Sequence, residues 1–299
     1  MKIINFGSLN IDYVYQVDRF VQPGETKMVK ARHAYCGGKG LNQSVALARA
    51  GLETWHAGFI GSDGGFLVDR LRESGVHTEL LCSTRQDTGH AIIQVNESGQ
   101  NCILICPGTN VLFTEDYVEE VLSHFGPGDV VLLQNETNLV GEIMERSAAH
   151  GLLIAFNAAP MDEKVRNYPL EKVRWLFVNE LEGVQLSGER QYTTAIRALR
   201  ERYPSTEIIM TLGSEGSMYL GDGGVLTQRA YPVSPVDTTG AGDTFTGYFL
   251  RGALQQVAAL SPLELASRAG AIAVGRMGAS DSIPTLMEVL SLSGESGAF

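Results

Sequence analysis

Basic clusters are missing from this chain of 299 residues: 23 Lys and Arg face 34 Asp and Glu, the formal net charge is −11, and no basic run occurs. That excludes nucleic acid and anionic membrane surfaces as partners, so any anionic ligand must be held by local groups. Cysteine is scarce. Cys36, Cys82, Cys102 and Cys106 lack the paired spacing of a zinc or redox motif, and the six histidines offer no ligand pair in helical register. Cys102 and Cys106 alternate with Ile103 and Ile105 around Leu104, as on one face of a strand, where packing rather than ligation is expected. No apolar run reaches the length of a membrane span. The stretch Met1 to Gly7 carries one Lys and is broken by Asn5, too short for a secretory leader, so the expected location is the cytoplasm. There is no internal repeat and no low-complexity segment. With 44% hydrophobic residues, the chain can still bury a sizeable core as one large α/β domain or a domain with a small appendage.

What the chain does have is glycine in the right places. Asp237-Thr-Thr-Gly-Ala-Gly-Asp-Thr-Phe245 reads as a glycine-rich turn opening a helix, with an acid at each end. Gly240, Ala241 and Gly242 leave backbone N–H groups free to meet an anion where the helix dipole already favours negative charge. Asp243 beside such an anion is suited to accept a proton as charge builds up, which points to phosphoryl transfer to a hydroxyl. The competing reading is that Asp is simply a good residue at a helix start.

Lys2 to Ser8 reads as a first strand running into Leu9-Asn-Ile-Asp12, where Asn10 and Asp12 either face the hydroxyls of a polyol or make local turn bonds. Tyr13 to Val17 and Met28 to Tyr35 look like exposed strands outside the βα rhythm, and Ala91 to Val95 with Cys102 to Cys106 reads as a hairpin. Together they form an expected small sheet covering a site. Between these pieces, Cys36-Gly-Gly-Lys-Gly-Leu-Asn-Gln-Ser44 is a second glycine turn before a helix, Val45 to Ala50, stopped by Gly51. Gly40 follows Lys39 where a P-loop needs Ser or Thr; Lys39 and Asn42 instead offer donors to hydroxyls.

From Thr54 onward, short apolar strands at Asp129 to Gln134, Leu153 to Phe156, Trp175 to Val178 and Ile208 to Thr211 alternate with helical stretches. This implies a mostly parallel central sheet with helices on both faces. Glu136 follows the strand at Val130. Asn179-Glu-Leu-Glu182 is either a helix capping box or a site for hydrated magnesium near phosphates. Thr211-Leu-Gly-Ser-Glu-Gly216 suits a nucleotide or a plain turn. Gly221-Asp-Gly-Gly224 makes a hairpin turn. Ser261-Pro-Leu-Glu264 is a capping box for a helix to about Met277, ended by Gly278, whose Ala269, Gly270, Ala271 and Ala273 allow close packing on the helix opened at Asp243.

Gly37-Gly-Lys-Gly-Leu-Asn42 with Ser44, Gly51 and Gly61, followed by Asp237-Thr-Thr-Gly-Ala-Gly-Asp243, resembles the ribokinase or PfkB carbohydrate kinase family over nearly the whole chain, and Ser8 to Asp12 is similar to ribokinases within it. The resemblance implies a three-layer α/β/α domain over 1–290, with a β-sheet lid from about 12–36 and 88–107 and a loose tail at 291–299. It implies an ATP-dependent sugar kinase, with ribose phosphorylated at its primary hydroxyl; another sugar or a nucleoside (fructose, 2-keto-3-deoxygluconate, adenosine-like) is the alternative, and a non-catalytic sugar binder a further one. Asp243 matches the base, and Gly240 to Gly242 the anion hole. Asn10, Asp12, Gly38, Lys39, Asn42 and Glu136 match sugar-binding positions. Asn179 and Glu182 match a magnesium-associated motif, and Thr211, Gly213 and Gly216 match nucleotide contacts. Asp237, Thr239, Ala273, Gly278 and Ser282 match a potassium loop, and the lid implies a homodimer. Tyr248, Thr246 and Asn135 depart from the usual pattern, and the first two follow the base closely enough to alter the pocket.

Overall fold

The computed structural model describes residues 1–292. Its strands are β1 (Ile3–Phe6), β2 (Asn10–Gln16), β3 (Ala31–Gly37), β4 (Thr54–Ile60), β5 (Leu81–Ser83), β6 (Gly89–Val95), β7 (Asn101–Cys106), β8 (Val130–Gln134), β9 (Leu153–Asn157), β10 (Val173–Asn179), β11 (Glu207–Thr211), β12 (Ser217–Gly221) and β13 (Gly224–Gln228). The helices are α1 (Lys39–Arg49), α2 (Gly65–Glu73), α3 (Glu115–Leu122), α4 (Val140–Ala149), α5 (Glu180–Ser187), α6 (Tyr192–Arg202), α7 (Ala241–Leu254), α8 (Pro262–Val274) and α9 (Leu286–Ser291).

Nine strands form one sheet in the order β13-β12-β11-β10-β9-β8-β1-β4-β5. The pairs from β11 to β5 are parallel, and β12 and β13 add an antiparallel edge. Strand β8, Val-Val-Leu-Leu-Gln, is buried at all five positions, as a strand covered on both faces must be. Alternation sorts neighbours to opposite faces. Ile3, Val130, Leu132, Phe177 and Ile209 pack with Leu41, Val45, Phe249 and Leu265 of α1, α7 and α8. Ile4, Phe6, Val131 and Leu133 pack with Val118, Ile143, Ile196 and Leu199 of α3, α4 and α6. The result is three layers with a core on each side of the sheet.

Strands β3-β2-β6-β7 form the separate small sheet that the extra strand segments lead one to expect. Strand β7 corrects the expectation of packed cysteines. All six of its residues are exposed, including Cys102 and Cys106, with Leu104 and Ile105 each 66% accessible. It is an edge strand, and none of the described residues covers its outer face.

Two helices differ from their expected bounds. Helix α1 starts at Lys39 rather than Val45, because the chain turns at Gly38 and winds at once; it stops before Gly51 as expected. Helix α8 ends at Val274, short of Met277, and only half of its expected capping box forms. Ser261 accepts the Glu264 N–H, but the Glu264 carboxylate turns to Arg268 Nη2 (2.9 Å) and Tyr231 Oη (3.3 Å). Of the tail expected at 291–299, Ser291 closes α9, and everything from 293 lies outside the described residues.

Helix α7 crosses α1 at Gly247. A Cβ there would lie 2.5 Å from Ala46 Cβ and 2.9 Å from Leu47 N, so only glycine lets the two backbones come this close. That crossing sets the start of α7 beside the start of α1.

Candidate active site

Parallel strands end together, and Gly7, Gln134, Asn157, Asn179 and Thr211 line one edge of the sheet. Ligands gather at such edges in α/β folds. Helix α7 begins there at Gly240, whose φ of +75° suits glycine and turns the chain into the helix. The first N–H groups of a helix have no intrahelical partner, and a Cβ on Gly242 would meet nothing within 4 Å, so this turn faces open space. Asp243 lies in that first turn and is only 6% exposed. Its Oδ2 accepts from Asn42 Nδ2 at 3.0 Å and its Oδ1 from Gln43 Nε2 at 2.9 Å. Asn42, expected to face a sugar, thus also holds Asp243, and its own Oδ1 is buried without a partner. Gln43 was not anticipated.

Opposite Asp243 stands an acidic cluster. Glu136 Oε2 accepts from Ser8 Oγ at 2.5 Å and from the Lys39 backbone N–H at 2.9 Å. Burial still holds its carboxyl above the usual range, against the opposing pull of Lys39 and Ser8. Asp12 is pushed up to about 7, first by burial and then by the nearby charge of Glu136. Its carboxylate lies over Gly37, where a Cβ would come within 2.2 Å of Oδ2. Lys39, the first residue of α1 after Gly38, is raised chiefly by Asp243; burial opposes this, and Glu136 and Glu182 add to it. One ammonium therefore sits in the field of three carboxylates. Asn10 is held from below, its Oδ1 accepting from Asn110 Nδ2 at 2.7 Å while Asn110 Oδ1 takes the Leu9 N–H at 2.9 Å. Asn110 belongs to no local pattern that a sequence reading could have picked out.

Both bonds of the Asn179 and Glu182 capping box are formed, at 2.8 and 2.9 Å. The capping reading of this motif is thus present in the structure. Glu182 is raised by burial and pulled back by Asn179 and Lys39, so its charge looks into the same cleft. Thr211 pairs with Asn179 across the strand ends, and Gly213 and Gly216 flank the short turn that follows. Asp237 Oδ1 accepts from Thr239 N (2.9 Å) and Oγ1 (2.6 Å), and its Oδ2 from Gly278 N (3.0 Å). Burial pushes Asp237 up, but these bonds outweigh it and leave its carboxyl below the usual range. Ser282 Oγ donates to Ala279 O at 2.8 Å, while the Ala273 carbonyl accepts the Arg276 N–H at 3.0 Å. No group of three or more His, Cys, Asp and Glu that could hold a metal occurs among the described residues.

The three departures are absorbed by the scaffold. Tyr248, on α7 itself, is fully buried and donates to Pro284 O at 2.7 Å. Thr246 donates to Gly242 O at 3.0 Å within the helix. Asn135 donates to Pro160 O at 2.8 Å and accepts from Tyr168 Oη at 2.8 Å.

The sequence pattern described as pfkB family carbohydrate kinase matches residues 1–286. The chain is 32% identical over 299 residues to a ribokinase of Staphylococcus aureus, covering 96% of this chain and 98% of that protein. It is also 32% identical to a ribokinase of Haemophilus influenzae, covering 95% of each. The solved structure of Arabidopsis thaliana ribokinase complexed with ribose and ATP superposes with a TM-score of 0.87 at 28% identity, over 97% of this chain and 98% of that one.

Proposed function

Because the chain belongs to the pfkB family of carbohydrate kinases, we propose that it transfers the γ-phosphoryl group of ATP to the primary hydroxyl of ribose, giving ribose 5-phosphate and ADP. The observation that carries this reading is the convergence at the start of α7. A buried carboxylate, Asp243, is held by two amides directly beneath an open glycine turn, in which the Ala241 N–H bonds Thr238 O at 3.3 Å and the Gly240 and Gly242 N–H groups take no backbone partner. The sugar hydroxyl attacks the γ-phosphorus as Asp243 takes its proton; the new O–P bond forms while the bond to the β-bridging oxygen breaks and ADP leaves. In the Gly240 to Gly242 turn, the N–H groups of Gly240 and Gly242 receive the charge on the moving phosphoryl oxygens, with Ala241 closing the turn between them. Lys39, Asn42, Asn10, Asp12, Gly38 and Glu136 hold the sugar hydroxyls, a role supported by their meeting on one side of Asp243 and by the Asn42 Oδ1 left without a partner.

The nucleotide would lie along Asn179, Thr211, Gly213 and Gly216. Magnesium fits beside Glu182 through bound water rather than direct ligation, since only one carboxylate oxygen there is free of the cap and no cluster of ligands surrounds it among the described residues. When bound, the ion offsets charge on the phosphates. Potassium fits the loop of Asp237, Thr239, Ala273, Gly278 and Ser282 through backbone and hydroxyl oxygens, because both Asp237 oxygens already bind N–H or O–H groups within it. The small sheet serves as the lid of one domain over 1–290, and its exposed β7 face joins two copies into a homodimer in the cytoplasm.

An ADP-release assay over ribose, deoxyribose, fructose, 2-keto-3-deoxygluconate and adenosine tests the substrate. Ribose should give the highest kcat/KM, and preference for another compound would reassign it within the family. Asp243→Asn should lower kcat by about 10²- to 10⁴-fold, the usual contribution of a general base; unchanged turnover would refute the assignment.

A further inference from the structure

Behind Asp243 a chain of buried polar side chains runs to the far side of β1. His56 has no exposed surface, and its Nε2 lies 3.1 Å from Gly7 O. A carbonyl only accepts, so Nε2 carries the proton. Burial holds the ring down at about 4, which keeps it neutral and leaves Nδ1 an acceptor. Ser44 Oγ, 2.8 Å from Nδ1, therefore donates to the ring and accepts from Asn5 Nδ2 at 2.8 Å. Asn5 gives its other N–H to Gly40 O at 2.8 Å, which fixes the amide and turns Oδ1 to Gln134 Nε2 at 3.0 Å. Gln134 donates its second N–H to Gln43 Oε1 at 2.7 Å. With that oxygen taken, Gln43 can present only Nε2 to Asp243 Oδ1.

Two backbone carbonyls, Gly7 and Gly40, thus set the direction of every bond as far as the carboxylate. Gln134 Oε1 is left buried without a partner, so this amide forgoes one bond to donate both its N–H groups. Reversing it would set its oxygen against those of Asn5 and Gln43, a costlier arrangement in a buried site.

We propose that Gln43 and Gln134, kept in phase by Asn5, Ser44 and His56, are positioning residues that lock Asp243 in one rotamer with Oδ2 beside Asn42. This rests on Asp243 being the base, and its own content is that the lock extends through side chains that touch no substrate.

The test compares Gln43→Met and Gln134→Met, of similar length but without a donor, with Asp243→Asn. Both Met variants should lose between about 10- and 100-fold in kcat, as a loosened reacting group does, while KM for ATP and ribose stays within about twofold. In the wild-type protein, both Nε2 protons of Gln134 should exchange slowly with solvent by NMR, a readout that requires no variant to fold. Wild-type turnover in Asp243→Asn would remove the base reading itself. An inactive Asp243→Asn beside Met variants with wild-type kcat, or fast exchange at Gln134, would overturn the lock alone.

Discussion

Replacing Gly247 by Ala tests whether the α1 and α7 crossing both stabilises the fold and builds the site. Helix propensity alone predicts a gain of about 0.5–1 kcal/mol, since glycine is unfavourable within a helix. Packing predicts the reverse. The added methyl would lie 2.5 Å from Ala46 Cβ and 2.9 Å from both Ala46 C and Leu47 N, where carbon contacts normally begin at about 3.5 Å. Ala46 and Leu47 are fully buried, so the helices must part by roughly 1 Å. Overpacking of this kind costs about 1–3 kcal/mol against that gain, for a net loss of up to about 2.5 kcal/mol. Asp243 lies one turn before Gly247, and its bonds of 2.9 and 3.0 Å cross the same gap, so kcat should fall as well, by up to about 100-fold. Gly270→Ala in α8 is the control, because a Cβ there meets nothing within 4 Å and propensity should act alone. Urea unfolding and steady-state kinetics on both variants read the outcome. A Gly247→Ala protein as stable and as fast as wild type would show that the close crossing does not hold the site together.

The remaining predictions concern pH and assembly. Asp12 has its pKa raised from 3.8 to about 7, so its protonated form favours the native state and its contribution is lost as pH rises from about 4 to 7. His56 has its pKa lowered from 6.5 to about 4, so its contribution is present above 6.5 and lost as pH falls toward 4. The two slopes oppose each other from about pH 4.5 to 6.5. Asp12→Asn should then make stability rise with pH, and His56→Phe should make it fall, by up to about 1.4 kcal/mol per pH unit in urea titrations; identical slopes in all three proteins would refute both environments. Leu104→Glu on the exposed edge strand should convert the proposed homodimer to monomers in sedimentation velocity while the far-UV circular dichroism stays that of the folded chain, and an undiminished dimer would move the interface elsewhere.

Much of the fold is legible in the sequence because it is encoded over short range. Continuous apolar runs such as Val130 to Gln134 mark strands covered on both faces, and Asn179 with Glu182 marks a cap that the structure forms in full. The glycine turn at Gly240 reads correctly as a helix start, whereas the one at Gly38 leads straight into α1 at Lys39, six residues before the expected Val45. Misreadings arose where a side chain had a longer-range choice. Glu264 turned to Arg268 and Tyr231 instead of back to Ser261, and Cys102 and Cys106 lie on an edge strand that no described residue covers.

Local sterics and periodicity were enough to determine the central strands, the start of α7 and the acid at its head. Only the tertiary structure could place Gln43 against Asp243, 200 residues away, Asn110 beneath Asn10, and Tyr248 in the core. Those placements depend on how closely two helices approach and which buried donors find acceptors, and both are decided by volume and hydrogen bonding among residues that no window of sequence brings together.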